Sequence, residues 1–110
     1  MRTKTHAFET DLAELAALAK VLSHPARLAI LELLASQDTC VCGEIVEELP
    51  LAQATVSRHL KVLREAGLIS VTQRGLSSCY CIDAPAVAAL RERFDAFFAS
   101  VEDGGVGVQC

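Results

Sequence analysis

The sequence predicts a mainly α domain with a small β-hairpin, and three observations predict it. Apolar residues recur at helical spacing along most of the chain, as in "TDLAELAALAKVL" and "ARLAILELLAS". The spacing switches to strand alternation in one place, between Leu68 and Ile82, where "LISVTQ" and "CYCI" flank a turn at "RGLSS". At 110 residues the chain has room for one hydrophobic core and not two. A single domain is therefore expected over residues 1–102, with a flexible Gly-rich tail at 103–110.

The first helix is expected over residues 10–22, with Leu12, Leu15, Ala19 and Leu22 on one face and acids near its start, where the helix dipole favours them. Ser23 is placed to cap the second helix, and Pro25 fits its first turn. That helix is apolar on nearly all sides through Leu34, which assigns it to the centre. "SQDT" ends the periodicity, "TCV" has strand-like residues, and a short helix over Gly43 to Leu49 is stopped by Pro50. "LAQ" turns the chain into "ATVSRHLKVLREAG", a helix with Val56, Leu60 and Leu63 inward and Gly67 at its C-terminal cap. The hairpin over residues 68–82 turns around Arg74 and Gly75. With Tyr80 and Ile82 on the core side, Cys79 and Cys81 face the other way. Asp83 and Pro85 open a last helix over residues 84–101, whose Val87, Leu90, Phe94, Phe97 and Phe98 form a stripe with no cover inside so small a domain.

Hydrophobic residues make up 52% of the chain with no Trp and one Tyr, so the core is aliphatic, and a small domain of this kind often extends its core by pairing with a second copy. The net charge of −4 alone argues against non-specific nucleic-acid binding, but its distribution argues otherwise. Between Gln53 and Arg74, Arg58, Lys61, Arg64 and Arg74 stand against Glu65, a net +3 before His59 is counted. The N-terminus has no signal-like apolar run, and no stretch reaches the roughly 18–20 apolar residues that span a bilayer, so a cytoplasmic protein with no membrane partner is expected. In a reducing cytosol five cysteines point to metal binding, redox sensing or simple burial rather than permanent disulfides.

Residues 43–67 form a helix-turn-helix by pattern, with Gln53, Thr55, Ser57, Arg58, His59 and Lys61 on the polar side of its second helix. Gln and Arg suit bidentate contacts with base edges, Ser and Thr reach phosphates or bases, and the hairpin sets Arg74 against the backbone or minor groove. An ordinary solvated helix face explains any one of these residues equally well. The order of helices followed by a hairpin is harder to obtain by chance.

"LSHPARLAILELL", "CVCGEIVEELPLAQATVSRHLKVLREAGLI" and "YCID" resemble the ArsR/SmtB family of winged-helix repressors over residues 12–98. The resemblance implies a homodimeric winged helix-turn-helix protein whose first and last helices make the interface. It also implies binding to a two-fold symmetric, double-stranded operator and release when an inducer binds. Cys40 and Cys42 match the Cys-Val-Cys that arsenic and cadmium or lead sensors of the family use. The third cysteine of the arsenic motif is replaced by Ile45, and the N-terminal segment offers His6 and no cysteine. The family's zinc-type site on the last helix is not expected, because that helix has no His.

In winged helices a short strand before the helix-turn-helix pairs with the second wing strand, which lays "CVC" beside "CYC". Cys40, Cys42, Cys79 and Cys81 are therefore expected to form one thiolate site for a thiophilic ion, As(III) or Sb(III), or else Cd(II), Pb(II) or Zn(II), with no organic cofactor. The alternative for the same sulfurs is a redox or persulfide switch. Any one of them also fits as an inert buried side chain, and Cys110 fits as a surface thiol. A small thiol enzyme lacks a cleft with a partner base, and a metal carrier has no use for the polar face at 53–61, so no enzyme is expected. Of the remaining histidines, His24 reads as structural and His59 as a DNA contact.

Overall fold

Helices form where apolar residues recur every three or four positions, and the one change of period folds as a sheet. The structure, a computed structural model, describes residues 10–43 and 49–105. Their order is α1 (Thr10–Val21), α2 (Pro25–Ala35), β1 (Val41–Cys42), α3 (Gln53–Glu65), β2 (Ile69–Arg74), β3 (Ser77–Ile82) and α4 (Ala84–Gly104). The short helix expected before Pro50 falls largely on residues 44–48, outside the described residues, as do His6 and Cys110. Among the described residues no helix is long and apolar enough to cross a membrane.

The start of α2 corrects the sequence expectation. His24, not Ser23, is the cap: the Ala26 amide donates to His24 Nδ1 at 3.2 Å. Pro25 has no N–H, so Ala26 carries the first amide that needs an acceptor, and the preceding ring nitrogen reaches it. Ser23 Oγ instead donates to the Lys20 carbonyl at 2.7 Å, at the end of α1. At the end of α3, Gly67 adopts φ +83° and closes the helix as expected. Its amide donates to the Arg64 carbonyl at 2.9 Å and the Leu68 amide to the Leu63 carbonyl at 3.1 Å. These are the two bonds of a Schellman motif, sealed by the buried Leu63 and Leu68 side chains.

The three strands form one antiparallel sheet in the order β1-β3-β2. Arg74 pairs with Ser77, leaving a two-residue turn whose first position, Gly75, has φ +62°, the pattern of a type II′ hairpin. One continuous core joins Ile30 and Leu34 of α2, Val56, Leu60 and Leu63 of α3, Leu68, Ile69 of β2 and Leu90 of α4. Val41, Tyr80, Ile82 and Phe94 pack against it.

α4 starts as expected, with Asp83 Oδ1 accepting from the Ala86 amide at 3.1 Å, and runs three residues past the expected end. Of its stripe only Leu90 is buried, while Val87, Phe97 and Phe98 stay exposed together with Leu12 of α1 and Val101. An ion pair between Arg93 and Glu14, 3.1 Å, links α4 to α1. Both partners are partly solvated, so the pair contributes at most about 1 kcal/mol.

Candidate functional site

The polar side of α3 is a solvent-facing row. Gln53, Ser57, Arg58 and Lys61 are exposed and Thr55 is half-buried, while Val56, Leu60 and Leu63 anchor the opposite side in the core. Arg74 is exposed where the hairpin turns, and Leu76 at the tip is 104% exposed, a feature with no local sequence signal. Five of the seven residues expected to meet DNA are therefore exposed, and Thr55 is partly so.

His59 is the exception. It is 6% exposed and lies inside the domain rather than on the solvent-facing row. Arg27 Nε donates to its Nδ1 at 3.1 Å, and Arg27 Nη1 donates to the Val21 carbonyl at 3.1 Å. The His24 ring stands tilted against it with centroids 4.3 Å apart. Burial holds the His59 pKa below its ordinary value of 6.5, with His24, Arg27 and Arg58 adding unfavourable charge. A neutral ring with Nδ1 free to accept is what the Arg27 hydrogen bond requires. The signal was in the spacing: position 59 follows Val56 by three and precedes Leu63 by four, so it shares the buried stripe. Arg27 had no comparable local signal, because its partner lies 32 residues away.

The expected pairing of "CVC" with "CYC" is present. Val41 is opposite Tyr80 and Cys42 opposite Cys79. Side chains alternate, so Val41 and Tyr80 turn to the core and all four cysteines share the other face. There they form two rungs, Cys40–Cys81 and Cys42–Cys79, each a disulfide, with Cα separations of 4.6 and 3.9 Å. With the sulfurs paired, no group of three or more His, Cys, Asp or Glu among the described residues is set to hold a metal ion.

Cys79 faces away from the core yet is 0% exposed, so it does not protrude. It lies on the central strand, bonded to Cys42 on one side and flanked by Thr72 on the other. Cys40, Cys42 and Cys81 are half-buried. The ladder thus joins β1 to β3, the sheet neighbour of β2, which ends at Arg74.

Comparison with known proteins agrees with this architecture. Residues 24–71 match the family described as bacterial regulatory protein, arsR family. An uncharacterized HTH-type transcriptional regulator of Mycobacterium tuberculosis, Rv0081, is 39% identical over 71 residues, 64% of this chain. That match spans 62% of the mycobacterial protein's length. The crystal structure of Rv0081 superposes with a TM-score of 0.66 at 35% identity, covering 87% of this chain and 96% of that one. The biofilm growth-associated repressor of Agrobacterium fabrum is 36% identical over 97 residues, 88% of this chain and 82% of the repressor. The arsenical resistance operon repressor of Staphylococcus xylosus is 37% identical over 67 residues, 61% of this chain and 64% of the repressor. With this match over residues 24–71 and relatives above 30% identity along most of its length, this chain belongs to the arsR family of bacterial regulatory proteins.

Proposed function

We propose that the protein is a cytoplasmic, homodimeric transcriptional repressor that reads double-stranded operator DNA and is switched by the oxidation state of its cysteine ladder. Gln53, Thr55, Ser57, Arg58 and Lys61 read the major groove, and Arg74 on the wing follows the backbone or minor groove. The exposed apolar residues of α1 and α4 bury against a second copy, which places two reading helices on a symmetric site. No catalytic role is assigned to any residue.

One observation carries the switch: Cys40 and Cys42 stand opposite Cys81 and Cys79, within disulfide reach, between the strand before the reading unit and the wing. In a reducing cytosol the four are thiols. Oxidation forms the rungs and fixes the wing to β1, which alters how α3 and Arg74 meet DNA together. Such coupling is typically worth about 1–3 kcal/mol, or roughly 5- to 150-fold in affinity. The DNA-binding half is tested by gel shift of the reduced protein on DNA upstream of its own gene. Specific retention that resists unrelated competitor DNA is expected, and equal competition by unrelated DNA overturns it.

A second reading is favoured by the convergence of the same sulfurs. Reduced, Cys40, Cys42, Cys79 and Cys81 supply the soft donors that suit As(III) or Sb(III), and also Cd(II), Pb(II) or Zn(II). The Staphylococcus xylosus relative, an arsenical resistance operon repressor, points the same way. Arsenite titration of the reduced protein, followed by absorbance and operator release, tests it. Loss of both responses in a Cys79→Ser/Cys81→Ser variant supports the shared site, and unchanged responses exclude it.

A further inference from the structure

A cavity of about 360 Å³ opens beside the outer rung of the ladder, with Cys40, Cys81, Asp38 and Thr39 in its wall together with Leu34 and Ile82. Cys42 and Cys79 do not line it, and Cys79 has no exposed surface. The two rungs are therefore unequal: both cysteines of the outer rung line this cavity, whereas neither cysteine of the inner rung does and one of them, Cys79, is fully buried. Among the cavity's described lining residues Asp38 is the one charged side chain, and it is exposed. A water occupies about 30 Å³ of liquid, so the space holds a small organic thiol with solvent around it.

We propose that this cavity is a docking site for a small aminothiol, whose ammonium group is held by Asp38 while its thiolate exchanges with the Cys40–Cys81 disulfide. The inference rests on the redox reading of the ladder and adds its reductant and its point of attack. The thiolate attacks one sulfur of the rung, forming a mixed disulfide and expelling the other cysteine as a thiolate, which takes a proton from water. A second aminothiol thiolate attacks the adduct, releasing the aminothiol disulfide and the remaining cysteine. Two small thiols are oxidised and one protein disulfide is reduced, so no further reductant is needed. Exchange rates depend on access to the sulfur attacked, which selects the outer rung. Unlike charges attract at short range even in water, which selects a cationic thiol over an anionic one at Asp38.

The test uses the oxidised full-length Cys110→Ser protein, its free thiols counted beforehand. Cysteamine, 2-mercaptoethanol and 2-mercaptoethanesulfonate are compared at equal thiolate concentration, with acid quenching, alkylation and peptide mass mapping. Cysteamine is expected to react at least about three-fold faster than the sulfonate. The first adduct is expected on Cys40 or Cys81 with Cys42–Cys79 intact, and Asp38→Asn is expected to erase the ranking. First attack at Cys42 or Cys79, equal rates for the three thiols, or a ranking that survives Asp38→Asn would each overturn the proposal. Four free thiols in the protein after oxidation would remove the redox reading and this site together. Rungs that form and exchange as expected, but leave operator affinity unchanged, would remove the redox reading while the docking site stands.

Discussion

His59 shows how a polar residue of α3 can serve the fold, buried at 6% exposure. Its ring accepts from Arg27, which also ties down the Val21 carbonyl, so one guanidinium joins the end of α1 and the start of α2 to α3. The acceptor role gives stability a pH dependence. The folded His59 holds its pKa below 6.5, so as pH falls through 6.5 the unfolded chain takes up the proton first. The contribution of His59 is thus complete above that pH and is lost as pH falls through the lower, folded value. Urea denaturation on both sides of this window is expected to show a steeper acid-side loss for the natural protein than for His59→Phe. Equal slopes would contradict the role assigned to His59. From the sequence, polarity suggested a DNA contact while spacing pointed inward, and spacing decided because a helix face is set by geometry. The Arg27 contact was not legible, since no local pattern encodes a partner on another helix.

The elements themselves were legible wherever one local rule fixed them. Gly67 follows the last turn of α3, and its φ of +83° is what a Schellman cap demands. A Cβ there meets no atom within 4 Å, so the cost of Gly67→Ala is conformational alone. Destabilisation of about 1–2 kcal/mol is expected, read as a lower urea midpoint with unchanged slope. An unchanged midpoint would show that the cap does not hold α3. The β1–β3 pairing was also legible, because two Cys-x-Cys runs with apolar centres align in only one way that turns Val41 and Tyr80 to the core. The burial of Cys79 was not, since alternation assigns a face but not the depth at which a central strand lies. The cap of α2 passed from Ser23 to His24 because Pro25 moved the first free amide one residue on.

At the scale of the whole molecule, two surfaces remain to be joined to partners. Leu12, Phe97, Phe98 and Val101 leave an apolar face on α1 and α4, of which Phe98 is 58% exposed. The proposed homodimer would bury this face. Phe98→Asp is expected to give a monomer by sedimentation velocity, since burying a Phe contributes about 1.5–3 kcal/mol in each copy of a symmetric interface. A dimer that persists in this variant would place the interface elsewhere. The basic face of α3 and the wing form the second surface, and the cysteine ladder lies between the strand that leads into one and the strand that builds the other. Whether that ladder governs DNA is the central claim, and fluorescence anisotropy on labelled upstream DNA measures it directly. One preparation of the Cys110→Ser protein is titrated reduced, oxidised and reduced again. Tight binding that weakens at least about 5-fold on oxidation and returns on reduction is the expected result. Equal affinity in all three states, with both rungs verified by mass, would contradict it.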